Sequence, residues 1–101
     1  MTKREWKHRR WGRCSLCSNY GPIERHHVVL EQIVRRLGGD PWNVSNSMLI
    51  CPVCQQGHHH PGVNDTRIPY AKVPQEARNF AYELLGEGAD DYFRRRYADA
   101  P

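Results

Sequence analysis

The chain has 101 residues, with 15 Lys and Arg against 11 Asp and Glu and a formal net charge of +4. This length predicts one domain with a limited core, which a structural metal would help considerably to fold. No segment approaches the roughly 18 apolar residues of a membrane span, and no apolar stretch follows the basic N-terminus, as a signal peptide requires. We therefore expect an intracellular protein whose thiols stay reduced.

The first 13 residues form a predicted basic arm, which could fold as a short helix and in which Glu5 is the only acidic residue. Such a cluster favours a polyanionic partner, because phosphate contacts release condensed counterions. A solvated charged surface is an equally valid interpretation of any one cluster. Trp6 and Trp11 could stack on nucleic-acid bases or pack the arm onto the body. The basic residues of the arm, which we predict to contact DNA, are Lys3, Arg4, Lys7, Arg9, Arg10 and Arg13.

The next segments predict alternating strands and helices. CSLCSNYGP is typical of a cysteine knuckle and a turn, and the β-branched segment IERHHVV indicates a strand. The segment that follows predicts a helix that Gly38 and Gly39 stop, because its apolar residues repeat at helical spacing. These are Leu30, Ile33, Val34 and Leu37.

The second half of the chain predicts one short strand and three helices. SMLIC is a short apolar strand, and PVCQQGHHH can form a short helix. VPQEARNFAYELLGEG predicts a longer helix with Pro74 at its start and Gly86 at its end. ADDYFRRRYA continues as a further helix. Together these segments indicate a small α+β fold with C-terminal helices.

Four cysteines form two CxxC pairs, separated by the 33 residues from 18 to 50. Each CxxC turn lets two thiolates meet one ion at about 2.3 Å, so two turns complete a tetrahedral four-thiolate site. Four protein ligands leave no open coordination position, which predicts a structural zinc rather than a catalytic one. The predicted zinc ligands are Cys14, Cys17, Cys51 and Cys54.

The histidines other than His8 fall into two clusters, and this grouping weakens the view that each is an ordinary surface residue. The first cluster lies on the predicted strand, and the second follows the second cysteine pair. Clustered histidines can bind metals. The residues are His26 and His27 in the first cluster, and His58, His59 and His60 in the second.

The order of these motifs resembles that of the HNH endonucleases, in particular the zinc-knuckle branch common in phage and prophage genomes. The motifs are CxxC, then Glu24-x-His26-His27, then Asn46 five residues before Cys51, then CxxC and a histidine cluster. The resemblance covers residues 14–62 and implies a ββα-metal (His-Me finger) core. The chain would then comprise a basic arm at 1–13, the core at 14–62 and a helical extension at 63–101.

The resemblance also implies a role for each motif residue. His26 would bind the catalytic divalent metal, and His27 would be the general base that takes a proton from the attacking water. Asn46 would orient the loop and the base. Glu24 would hold a histidine or an arginine from outside the metal site.

The third position of the motif departs from the family pattern, because Gln55 stands where a histidine usually follows the second cysteine. His59 lies four residues later and would share a helix face with Gln55. A one-residue slip around Gly57 would present His58 or His60 instead. Histidine ligands suit Zn, Ni, Co or Mn, and Mg can act where phosphate oxygens and waters complete its coordination.

The expected function is therefore metal-dependent hydrolysis of DNA phosphodiester bonds, by nicking or by double-strand cutting. The alternative is a non-catalytic zinc-ribbon module that binds DNA or protein, and Gln55 is the residue that favours it. DNA is the expected partner, phage packaging proteins are a further candidate, and a monomer is the default. The expected location is the cytoplasm of a bacterial or phage-infected cell.

Overall fold

A computed structural model describes residues 1–59 and 67–101 of the chain, with the backbone alone for residues 56–59. The predicted α+β class is confirmed, because the fold combines helices with a three-stranded antiparallel sheet. The helices and strands are α1 Lys3–Trp6, β1 Arg10–Arg13, β2 Tyr20–His27, α2 Glu31–Arg36, β3 Ser47–Ile50, α3 Pro52–His59, α4 Gln75–Leu85 and α5 Gly88–Arg96.

The sheet has the order β1-β2-β3, and β2 has a different neighbour along each half of its length. β1 pairs with the first half, where Arg10 lies opposite Ile23. β3 pairs with the second half, where His26 lies opposite Met48 and His27 opposite Ser47. From residue 24 onward, β2 therefore has one edge that no described strand covers.

The N-terminal segment forms the short helix α1, which the sequence allowed for, and also the edge strand β1, which it did not indicate. Trp6 is only 2% exposed and lies in the interior. The helix begins with a capping box between Thr2 and Glu5, and this Thr-x-x-Glu spacing is visible in the sequence. The strand was harder to predict, since Arg-Trp-Gly-Arg contains no β-branched residue.

The predicted helix after β2 is present but short. Val34 is buried, whereas Leu37, predicted on the same face, is exposed because the helix has already ended at Arg36. Gly38 follows with a φ of +78°, a backbone conformation that favours glycine. The predicted glycine stop is therefore confirmed, although the apolar face is narrower than the spacing indicated.

The core lies between the sheet and the two C-terminal helices. α4 packs against α5 and against the short 3-10 turn Val44–Asn46. The segment after residue 67 is thus part of the same core, and Pro69 forms a bridge with Ala98. The buried residues include Val28, Val29, Val34, Met48, Ile50, Ala77, Ala81 and Phe93.

The predicted boundary between residues 62 and 63 lies outside the described residues. No helix among residues 1–59 and 67–101 is both long enough and apolar enough to cross a membrane.

Candidate metal centre and active site

The four cysteines come together at one point, and their Sγ atoms all lie within 4.8 Å of one another. The Sγ atoms of Cys17 and Cys51 are 3.8 Å apart. Four sulfurs at about 2.3 Å from a tetrahedral zinc would be separated by about 3.8 Å. The predicted cluster is therefore confirmed, and its donor set fits a structural metal such as zinc.

The thiols of the cluster have divergent acidities. Burial raises the pKa of Cys14, but backbone N–H groups of Cys17, Cys51 and Leu16 donate to its Sγ and bring that pKa to about 6. The pKa of Cys54 is raised by burial and by its hydrogen bonds with the other three thiols. Four neighbouring thiols cannot all ionise without a cation, and a divalent cation would remove this conflict.

The cysteine cluster joins distant parts of the chain. Cys14 directly follows β1, and Cys51 and Cys54 lie at the start of α3. Between them, the backbone N–H of Ser15 donates to the carbonyl of Leu49 at 2.9 Å. A metal held here would therefore fasten the β1–β2 turn to the end of β3 and to α3.

A separate cleft of about 760 Å³ runs beside the second half of β2 and is called the histidine cleft below. Four of the predicted site residues line it, together with Trp6, Lys7 and Arg25. Successive residues of a strand point to opposite faces, and both faces meet at the uncovered edge of β2. Side chains from both faces can therefore line one cleft. The predicted residues are Glu24, His26, His27 and Gln55.

His27 is held by three neighbours. Its ring stacks on Trp6, with centroids 4.5 Å apart and an interplanar angle of 22°, and lies 5.5 Å from the ring of Trp42. Its Nε2 is 2.8 Å from the carbonyl oxygen of Pro41. A carbonyl only accepts hydrogen bonds, so Nε2 carries the hydrogen in the neutral ring and Nδ1 keeps its lone pair. Burial lowers the pKa of His27, which favours this neutral form.

The third metal position is described only in part. Gln55 lies on α3, which packs against β2, and its side chain reaches the same cleft as His26. The side chains of His58 and His59, and the whole of His60, lie outside the described residues. The choice of His59 over its two neighbours therefore stays a prediction.

Glu24 accepts two hydrogen bonds from Arg9, from Nε at 2.9 Å and from Nη2 at 2.6 Å. This pair connects the segment before β1 to β2, next to the histidine cleft. Both side chains are partly exposed, so the pair contributes little to the free energy of unfolding. Its effect is to fix the position of the Glu24 carboxylate at the rim of the cleft.

Asn46 is fully buried and lies behind the cleft rather than in it. Its Oδ1 accepts from the backbone N–H of Val29 at 2.7 Å, and its Nδ2 donates to the carbonyl of Val29 at 2.9 Å. The two bonds hold the chain immediately after the histidine pair. The Asn46 side chain thus stabilises the turn that follows β2 through the backbone of Val29.

Two tyrosines of the C-terminal region hold the same turn, and sequence reasoning missed them. The hydroxyl groups of Tyr92 and Tyr97 donate to the carbonyl of Val28 at 2.8 and 2.7 Å. The Tyr92 hydroxyl also accepts from the N–H of Leu30 at 3.1 Å. These contacts join residues 62 to 69 positions apart, and no local sequence pattern indicates them. The contacts of Trp42 and Pro41 with His27 were missed for the same reason, whereas the burial of Trp6 agrees with the interpretation that it packs the N-terminal segment onto the body.

The predicted DNA-contacting residues are spread over α1, β1 and the segment between them. Lys3 and Arg4 lie on α1, and Lys7 lines the histidine cleft. Arg9 is paired with Glu24, whereas Arg10 and Arg13 lie on β1.

Comparisons of the chain with protein-family models, with curated proteins and with solved structures found no match. The resemblance to the HNH endonucleases therefore rests on the motif residues of the sequence alone.

Proposed function

We propose that the protein is a metal-dependent endonuclease of the HNH type that hydrolyses DNA phosphodiester bonds, with β2, β3 and α3 as its ββα core. The observation that carries this proposal is the way in which the His27 ring is hydrogen-bonded and stacked. Its Nε2 is bonded to a carbonyl, its ring is stacked on Trp6, and its Nδ1 is the nitrogen that can accept a proton. A general base needs such an unprotonated ring nitrogen, and His27 is one of the residues that line the cleft.

The residues of the cleft suit in-line hydrolysis. His27 would take the proton of the attacking water at Nδ1, while Pro41 and Trp6 keep the ring in position. His26 precedes it on β2, where alternation directs the two imidazoles to opposite faces. The base and the metal ligand can thus act on opposite sides of one phosphorus atom. His26, Gln55 and a histidine of α3 would hold a divalent cation, which supplies Lewis-acid stabilisation of the leaving oxygen.

The charge around the cleft supports a polyanionic substrate. Lys7 and Arg25 line it, and the chain carries a formal net charge of +4. Positive side chains beside the base attract the phosphate and lower the cost of placing it there. Both acids of the cleft lining are paired with an arginine, Glu24 with Arg9 and Glu31 with Arg35, so neither carboxylate is left without a counter-charge beside Lys7 and Arg25.

The test is cleavage of supercoiled plasmid with a panel of Mg, Mn, Ni, Co and Zn. We expect wild type to cut, and His27→Ala to lose about 10²–10⁴ in rate at every metal concentration, because a metal cannot replace a base. His26→Ala should also lose cleavage but should recover part of it in excess Mn or Ni, because its defect is in metal affinity.

His8→Ala is the matched control, since it removes an exposed imidazole that lies between α1 and β1 and outside the predicted site. This variant should cut plasmid as wild type does. All variants should have the zinc content and the circular dichroism spectrum of wild type. The alternative, a non-catalytic zinc-ribbon module, is favoured by Gln55 at the third motif position. A wild-type protein that binds DNA but cuts it with none of the five metals would establish that alternative.

A further inference from the structure

Two aromatic side chains at the N-terminal hairpin are unusually exposed. Trp11 is 70% exposed and Tyr20 67%, in contrast to Trp6, which is 2% exposed. In the register of β1 and β2, Trp11 lies opposite Pro22, and Arg13 lies opposite Tyr20. Cross-strand partners point to the same face of a sheet, and residues two apart on a strand do so as well. The four side chains therefore share one surface, which we call the hairpin face: Trp11, Arg13, Tyr20 and Pro22.

The hairpin face is also positively charged. The guanidinium of Arg13 lies 5.9 Å from the centroid of the Tyr20 ring, and its Nη1 donates to the carbonyl of Ser18 at 3.2 Å. Residues 6–23 contain no Asp or Glu, so no carboxylate of the hairpin competes for its arginines. An arginine held beside exposed aromatic rings can bind a phosphate while the rings contact the attached base.

We propose that the hairpin face binds unpaired nucleotides of a DNA strand by stacking bases on Trp11 and Tyr20. Bases within a duplex already stack on each other, whereas an unpaired base presents its flat surface to an aromatic side chain. The choice of DNA rests on the proposed function, and it deepens that function by naming the substrate class. DNA with single-stranded segments, gaps or frayed ends should be preferred over intact duplex.

The position of the hairpin face supports this substrate. Every second residue of β2 points to the same face. Tyr20 and Pro22 therefore share a face with Glu24 and His26, and this face leads from the aromatic rings to the predicted metal ligand. At about 3.4 Å per residue, Tyr20 and His26 are roughly 20 Å apart along β2. An unpaired strand bound on the hairpin face would therefore enter the histidine cleft from one side.

The experiment is a binding titration of full-length protein without added divalent metal. A labelled single-stranded oligo-dT is compared, by fluorescence anisotropy, with a blunt duplex of the same length. We expect Trp11→Leu and Tyr20→Leu to bind oligo-dT about 5- to 150-fold more weakly, from about 1–3 kcal/mol per stacked base. Duplex affinity should change less than twofold. Leu37→Ala, which truncates an exposed apolar side chain of another surface, should bind both as wild type does.

The salt dependence separates stacking from charge. Trp11→Leu should lower affinity at every salt concentration without changing the slope of log K against log salt. Arg13→Gln should reduce the magnitude of that slope by about 0.7 on single strands. Arg95→Gln removes one exposed positive charge from α5 and should leave the slope unchanged.

Three results would overturn this inference. The first is oligo-dT binding by Trp11→Leu within twofold of wild type, and the second is an equal loss for the duplex. The third is a dimer in sedimentation that Trp11→Leu dissolves, which would make the hairpin face a contact between copies of the chain. Because the titration needs no catalysis, a protein that cuts plasmid but fails here loses only this inference. A protein that passes here but never cuts loses only the proposed nuclease activity.

Discussion

Replacing Asn46 by Ala should destabilise the protein more than any other single amide truncation near the site. Asn46 is fully buried, and both of its hydrogen bonds go to the backbone of Val29. The truncation leaves the N–H and the carbonyl of Val29 without these partners, in a place that water does not reach. A buried polar group left unsatisfied costs about 1–3 kcal/mol, so two groups cost about 2–6 kcal/mol. A typical domain has about 5–15 kcal/mol of stability in total.

The assay is urea unfolding followed by circular dichroism at a fixed concentration of free zinc, with linear extrapolation to water. Zinc must be buffered because a metal that binds only the folded state adds to the apparent stability. If Asn46→Ala fails to fold, Asn46→Asp serves in its place. The carboxylate still accepts from the Val29 N–H but cannot donate to the Val29 carbonyl, so it too should be destabilised.

Asn43→Ala is the matched control, because it truncates the same type of side chain at an exposed position, three residues before Asn46. Asn43 accepts from the N–H of Ser45 at 3.0 Å, at the start of the 3-10 turn. Loss of such a cap should cost about 0.5–2 kcal/mol. The reasoning fails if Asn46→Ala lowers the free energy of unfolding by no more than Asn43→Ala does.

Two further predictions concern the metal and the pH. Wild type should retain one zinc per chain after dialysis against a mild chelator. Cys51→Ser should lose both zinc and cooperative folding, because metal binding of this kind contributes folding free energy. Elemental analysis that finds no zinc in a folded wild-type sample would contradict this prediction. Burial lowers the pKa of His27 in the folded protein below its ordinary value of 6.5. The neutral imidazole therefore contributes fully to the free energy of unfolding above pH 6.5, and this contribution is lost as the pH falls through the folded pKa. Urea midpoints measured from pH 7.5 to 5.0 should therefore fall more steeply for wild type than for His27→Gln. Parallel profiles would refute a lowered pKa of His27, since loss of zinc at low pH affects both proteins alike.

Local sequence patterns predicted much of the secondary structure and the cysteine cluster. The CxxC spacing determines which thiols can share one ion, because each CxxC turn brings two sulfurs together independently of the rest of the fold. Pro74 and Gly86 predicted the two ends of α4, since the start and stop of a helix depend on the local backbone preferences of these residues. The strand that carries His26 and His27 was predicted only in part, because β2 begins at Tyr20, within the predicted turn, and ends before the predicted Val28 and Val29.

Tertiary structure decided which residues surround the histidines. Trp6 meets His27 across 21 positions, the difference between their numbers, and Tyr97 meets Val28 across 69. Such contacts depend on strand register and on how loops close, and neither leaves a periodic signal in the sequence. The exposure of Trp11 and the burial of Trp6 were equally undetermined, because both lie among the same arginines. Their difference arises because α1 turns Trp6 onto His27, while β1 places Trp11 on the open face of the hairpin.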